Sequence, residues 1–212
     1  MDAIQFSIFA SRVSALCDEM GAVLRRAAFS PNIKDRLDFS CALFDADGQL
    51  CAQAAHIPVH LGSMAYAMAD LVKAHDWQSG DMLVVNDPYR GGTHLPDVTL
   101  VAPVFNAGRC LGFVANRAHH ADIGADSPGS MPICSRLEDE GLLIPPTLLL
   151  SGDEILLPVL ESIVAATHNK AITEGDFSAQ ITQKRLGPPK PPSRLLGTYW
   201  PHAGRSSTQI GV

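Results

Sequence analysis

The apolar residues Phe9, Val13, Leu16, Met20, Val23, Leu24 and Ala27 recur at steps of three and four. That spacing puts them on one face of a helix over about residues 4–28, with Pro31 marking its end. From Asp38 to Gln53 the period shortens to two runs, FSCALF and LCAQA, separated by Asp45-Ala46-Asp47-Gly48. Asp and Gly suit the positive-φ positions of a tight turn, so the segment predicts a β-hairpin. Helical spacing returns from Ser63 to His75, where Met64, Met68, Leu71 and Val72 share one side and read as core filling. MLVVN, VTLVAPVF and CLGFVAN then predict three buried strands, being rich in Val, Leu and Phe and punctuated by Gly, Pro and Asn.

Gly124 to Pro132 reads as a loop, Ile144-Pro145-Pro146 as an extended turn, and Asp153 to Ala166 as a helix interrupted near its start by Pro158. The order helix, hairpin, helix, strands, helix lacks regular βαβ alternation. It therefore predicts an α+β fold, a mixed or antiparallel sheet with packed helices. Residues 1–183 form the folded unit in this reading. The stretch 184–212 carries five Lys and Arg, no Asp or Glu and five of the 15 prolines, and is expected to be an irregular basic tail.

Composition narrows the function. With 212 residues and 46% hydrophobic side chains, one sizeable core is available. The 22 acids outnumber the 16 bases, and the net charge of −6 would repel a nucleic-acid backbone, so small molecules or proteins are the expected partners. Cys17, Cys41, Cys51, Cys110 and Cys134 are odd in number and contain no C-x-x-C pair, so they read as reduced, mostly buried thiols. No run reaches the roughly 18 apolar residues of a membrane span, and a cytoplasmic location is expected by default.

The densest polar constellation is NDPYRGGTHLPD, residues 86–97, between two predicted strands. A second, Arg117-Ala118-His119-His120-Ala121-Asp122, ends a later strand, and two such loops can meet at one sheet edge. His94 and Asp97 are three apart and His119 can complete a two-His, one-carboxylate set. Such a set suits Mn²⁺, Zn²⁺ or Fe²⁺ with positions left for water or substrate. A plain surface loop is the competing reading. His120 and Asp122 are candidates for supporting the ligands or for a general base. Gly91-Gly92 either makes a turn or lets backbone N–H groups approach an anionic cofactor or substrate group. No G-x-x-x-x-G-K-[ST] phosphate loop is present, so any ATP must be bound by another chain. His56 and His60 are four apart, but Pro58 disfavours a helix there, and packing in core or loop is expected of them. His75 and His202 read as solvated, and no cysteine lies in either polar loop to support Cys-His catalysis.

Several of these stretches together resemble the hydantoinase B/oxoprolinase family: MGAVLRRAAFSPNIKDRLDFSCALFDADGQLCAQAAHIPVHLGSM, GDMLVVNDPYRGGTHLPDVTLVAPVF, ANRAHHADIG, SPGSMP and EGLLIPP. The resemblance runs from about Met20 to Gln183, with the motifs in the family's order. It implies the N-terminal part of a larger hydantoinase B-type fold, with a divalent metal held by His94, Asp97 and His119. It further implies a B-type subunit of an ATP-dependent cyclic amide or imide hydrolase, of the hydantoinase or 5-oxoprolinase kind. A hydantoinase A-type partner would bind ATP and phosphorylate the substrate. The same resemblance leaves open an acetone carboxylase-like α subunit. Because family members are much longer, the chain is also expected to be a truncated member, and a catalytically inert remnant is the third reading.

Overall fold

The computed structural model describes residues 2–55, 57, 59–127 and 132–185. Helix α1 spans Ala3–Ala27 and opens on a capping box, in which the Asp2 carboxylate accepts from the Gln5 N–H at 2.7 Å and the Gln5 side chain accepts from the Asp2 N–H. Its buried face is Phe9, Val13, Cys17, Met20, Gly21 and Leu24; four of these are on the predicted face, whereas the predicted Leu16, Val23 and Ala27 are half-buried at its margin. Ala28 turns extended and Pro31 opens the single-turn α2, Pro31–Lys34.

Strands β1, Phe39–Asp45, and β2, Leu50–Ala55, form the expected hairpin. Gly48 takes φ +79, and the Asp45 carboxylate accepts from the Asp47 and Gln49 N–H groups at 3.0 and 2.8 Å, which closes the turn. Helix α3, Val59–Leu71, begins and ends four residues before the predicted limits. Its last turn is closed by Trp77, whose indole N–H donates to the Val72 carbonyl at 2.9 Å.

The three predicted strands are β3, Met82–Val85, β4, Asp97–Asn106, and β5, Arg109–His119. Two further strands were not anticipated: β6, Thr147–Ser151, and β7, Glu154–Ile155. Gly152 and Asp153 join them with positive φ at both positions, the geometry of a two-residue hairpin turn. The expected helix from Asp153 therefore starts later, as α4, Leu157–Ala165, and Pro158 lies in its first turn instead of interrupting it.

Helix α5, Lys170–Arg185, escaped the hydropathy pattern because its buried side is largely polar. Thr173, Asp176, Gln180 and Gln183 recur at helical spacing and are all buried. Lys184 and Arg185 complete this helix, and the rest of the expected tail lies outside the described residues.

All strand pairs are antiparallel, in the order β2-β1-β5-β4-β3-β6-β7. The sheet is covered on both faces. Alternate residues of its central strands enter two cores: Cys41, Leu43, Val98, Leu100 and Val114 pack with α1, α4 and α5, whereas Phe44, Val101, Phe113 and Ala115 pack with α3. The α+β class is borne out, and of the mixed or antiparallel sheet expected, the antiparallel form is the one observed among the described residues. All five cysteines are free: Cys17 and Cys41 are buried, and Cys51, Cys110 and Cys134 are half-buried. No helix among the described residues is long and apolar enough to cross a membrane.

Candidate metal centre

The ends of β4 and β5 bring the two polar loops together. Asp97 and His119 are direct cross-strand partners, so their side chains stand on the same face of the sheet, the α3 face. His94, on the turn entering β4, folds back over them, with the Asp97 N–H donating to the His94 carbonyl at 3.0 Å. One ligand atom from each of His94, Asp97 and His119 lies within 4.8 Å of the others.

Asp97 is the hub. Its Oδ1 accepts from His94 Nε2 at 3.0 Å and His119 Nδ1 at 3.2 Å. Its Oδ2 accepts from Thr93 Oγ1 at 2.6 Å and from His60 Nε2 at 3.3 Å. Burial raises the carboxyl's pKa, but the hydrogen bonds from His119, His60, His94 and Thr93 outweigh it and hold the group far below the usual carboxylate range. The Asp97 hydrogen bond likewise prevails over burial at His94, whose pKa is raised.

His60 is buried in α3, and the structure gives it a second partner, Ser40 Oγ, 3.0 Å from Nδ1. A carboxylate can only accept, so His60 presents Nε2–H to Asp97, and Nδ1 and the Ser40 hydroxyl share the second hydrogen bond. With Pro58 against a helix there, the sequence predicts only packing for His60, whereas in the structure helix α3 starts at Val59 and carries it. His56 and Pro58 lie outside the described residues. Asp38, also unassigned from the sequence, places Oδ2 3.9 Å from His119 Nδ1. It follows Leu37, which is held at φ +57, a costly conformation for a branched side chain.

The remaining proposed residues fall elsewhere. His120 follows His119 along the strand direction and so points to the opposite face, where Nε2 meets Gln180 Oε1 at 2.8 Å and the ring lies 4.7 Å from that of Phe177. The Asp122 carboxylate accepts from the Gly124 N–H at 2.9 Å and the Asn169 N–H at 2.5 Å and ties its loop to the entry of α5. Gly92 donates its N–H to the Asp87 carbonyl, and a Cβ there would lie 2.0 Å from the Asn86 carbonyl oxygen. A Cβ on Gly91, at φ +109, would lie 2.6 Å from Ala67 Cβ. Both glycines thus sit closely packed within a turn. His75, expected to be solvated, is instead half-buried and pairs with Asp81 Oδ2 at 3.0 Å. His202 lies outside the described residues.

Two buried polar residues hold the loop that carries His94. Asn86 donates to the carbonyls of Leu95 and Leu142 at 2.7 and 2.8 Å and accepts from the Ile144 N–H at 2.6 Å. Arg117, fully buried, donates from Nε to Thr99 Oγ1 at 2.8 Å, from Nη1 to Ser63 Oγ at 2.7 Å and from Nη2 to the Gly91 carbonyl at 2.5 Å.

Two imidazoles and an ionised carboxylate, with His94 one-third exposed at the mouth, form a donor set of the right kind and reach for a divalent metal. The described geometry fits such an ion.

Comparison with known proteins places these features in context. The family model for hydantoinase B/oxoprolinase matches residues 2–190. An uncharacterized protein of Methanocaldococcus jannaschii is 44% identical over 88% of this chain and 34% of its own length. A 5-oxoprolinase of Dictyostelium discoideum is 38% identical over 88% of this chain and 15% of its own. A protein of a Pseudomonas species described as the B-type subunit of a D-/L-hydantoinase is 30% identical over 88% of this chain and 33% of its own. The crystal structure of an ATP-dependent caprolactamase from Pseudomonas jessenii superposes with a TM-score of 0.81 at 27% identity, covering 98% of this chain and 36% of that one. The chain thus spans about a third or less of the length of these relatives.

Proposed function

The chain belongs to the hydantoinase B/oxoprolinase family, and on that premise we propose that it is the metal-bearing B-type component of an ATP-dependent cyclic amide hydrolase. The observation that carries the reading is the convergence of His94, Asp97 and His119 within 4.8 Å. These three would hold a divalent cation, Mn²⁺, Zn²⁺ or Fe²⁺, with Asp38 beside them as a further oxygen donor. Such an ion, when bound, polarises a substrate carbonyl and acidifies water.

The chain's own residues prepare that site. Asp97 stays anionic under burial because four side chains donate to it. His60 and Thr93 grip the Oδ2 side and leave Oδ1 turned toward His94 and His119. The contacts of His120 and Asp122 favour a supporting role for both, since one packs on α5 and the other fixes the turn before it. ATP use, by analogy with the caprolactamase, would fall to an A-type partner that transfers a phosphoryl group to the ring amide oxygen and releases ADP. Water would then add at the activated carbon, the ring C–N bond would break with the nitrogen leaving as the amine, and a second water would release phosphate from the acyl phosphate.

Metal content of the purified chain, compared with a His94→Ala, His119→Ala double variant, tests the site. About one equivalent in the parent and none in the variant is expected, and equal metal in both overturns it. Substrate-dependent ATP turnover by the chain together with an A-type subunit tests the activity. Turnover with a cyclic amide and without bicarbonate supports hydrolysis. Turnover that requires bicarbonate points to the carboxylase branch instead, and its absence with any cyclic amide to an inert member.

A further inference from the structure

Arg117 is the largest fully buried side chain among the described residues, and no carboxylate there lies within 4.0 Å of its guanidinium. A buried cation is costly unless it is paired and hydrogen-bonded, and here the Asp97 charge favours the charged guanidinium while hydrogen bonds satisfy its fork. Its three bonds go to three separate elements: Thr99 on β4, Ser63 on α3, and Gly91 in the loop that carries His94. Each of these elements supplies or steadies a group of the metal centre. Asp97 lies two residues before Thr99 on the same face of β4, His60 lies one turn before Ser63 on α3, and His94 lies three residues beyond Gly91. Arg117 itself stands two residues from His119 on the same face of β5.

We propose that Arg117 is the positioning residue of this centre, its planar fork fixing strand, helix and loop to one another so that His94, Asp97 and His119 are already in place before a metal arrives. The inference rests on the metal reading above and adds to it the device that presets the geometry. A lysine keeps the charge but offers one compact donor group on a flexible stem, and cannot span three acceptors that face a planar fork. The geometric role and the charge can therefore be separated by substitution.

The test is titration of the 212-residue chain with Co²⁺, reading affinity and the visible absorption spectrum, for the parent and for Arg117→Lys, Thr99→Val and Ser63→Ala, with a metal-free thermal melt of each. The expected result for Arg117→Lys is a Co²⁺ affinity lower by about 10-fold or more and an altered spectrum. Thr99→Val and Ser63→Ala each remove one acceptor, and smaller losses with the same sense of spectral change are expected. An Arg117→Lys chain that melts with the parent and binds Co²⁺ with the parent's affinity and spectrum overturns the role of Arg117 while leaving the metal site standing. If Arg117→Lys does not fold, parent-like affinity and spectrum in both single-acceptor variants overturn it equally. Absence of Co²⁺ uptake by the parent is a different outcome, one that removes the metal site and this role with it.

Discussion

His119 and Asp97 stand opposite each other on neighbouring strands, with the imidazole Nδ1 3.2 Å from the carboxylate Oδ1. Their backbones are locked by the β4–β5 ladder, so the pair meets wherever the sheet forms. Asp97→Asn removes the charge on which His94, His60, His119 and Thr93 converge. Metal uptake is expected to vanish in equilibrium dialysis. Urea unfolding should show a loss on the order of 3 kcal/mol, because His60 and His119, which pointed at an anion, remain buried.

His60 acts on the centre through Asp97. Replacing it with Ala deletes one donor to Oδ2 and leaves Ser40 Oγ without its imidazole partner. Metal affinity should fall by roughly 10- to 100-fold. Isothermal titration of His60→Ala beside Ser40→Ala checks this, and the Ser40 variant, which removes only the outer contact, should lose less.

Asn86 satisfies three backbone groups from a fully buried position. Asn86→Leu leaves two carbonyls and one N–H without that partner and should destabilise the chain by about 2–4 kcal/mol. Proteolysis should then cut first in the 86–97 loop, the segment the amide anchors to Leu142 and Ile144.

Acid sensitivity has a separate seat at Asp81. Burial raises this carboxyl's pKa, but the Gln78 N–H, His75 and the Gly152 N–H together carry it below the ordinary value. A carboxyl depressed in the folded state adds stability that is complete above its unfolded pKa of about 4 and disappears as the pH drops through the folded one. The gap in unfolding free energy between the parent and Asp81→Asn should therefore be constant near neutrality and shrink as the pH falls below about 4. A gap that stays constant to low pH would show that the charge contributes nothing.

Burial pushes the Cys17 and Cys51 thiols up to about 12, and Cys41 higher still. Thiolate is the reactive form, so these three should resist iodoacetamide at pH 8 in the native chain and react once it is denatured. Mass spectrometry of the alkylated peptides reads the difference directly.

Periodicity in the sequence was a good guide wherever a buried face is apolar. Helix α1, the β1–β2 hairpin and strands β3, β4 and β5 all appear where hydrophobic spacing puts them. It failed at α5 because Asp176, Gln180 and Gln183 face inward and are recognised by partners elsewhere in the chain, such as the Ser30 N–H and Asn116. No local pattern records such partners. The same limit hid His60, whose role depends on Ser40 and Asp97, 20 and 37 residues away. Strand alternation, by contrast, is legible in the chain itself: two consecutive histidines at a strand end must face opposite ways, which divides His119 from His120.

That division makes the pairing between β4 and β5 a safeguard of chemistry as well as of shape. The register is unbroken from Asp97 to Val104, and its one irregularity lies at the far end, between Val104 and Phe105. A slip by a single residue would swing His119 from the α3 face to the face covered by α1, α4 and α5 and offer His120 to Asp97 in its stead, drawing an imidazole away from Gln180 and Phe177 as well. A misaligned chain would thus forfeit both the ion-binding cup and the seat of α5 in one stroke, so competence to hold a cation is inseparable from the sheet having formed correctly.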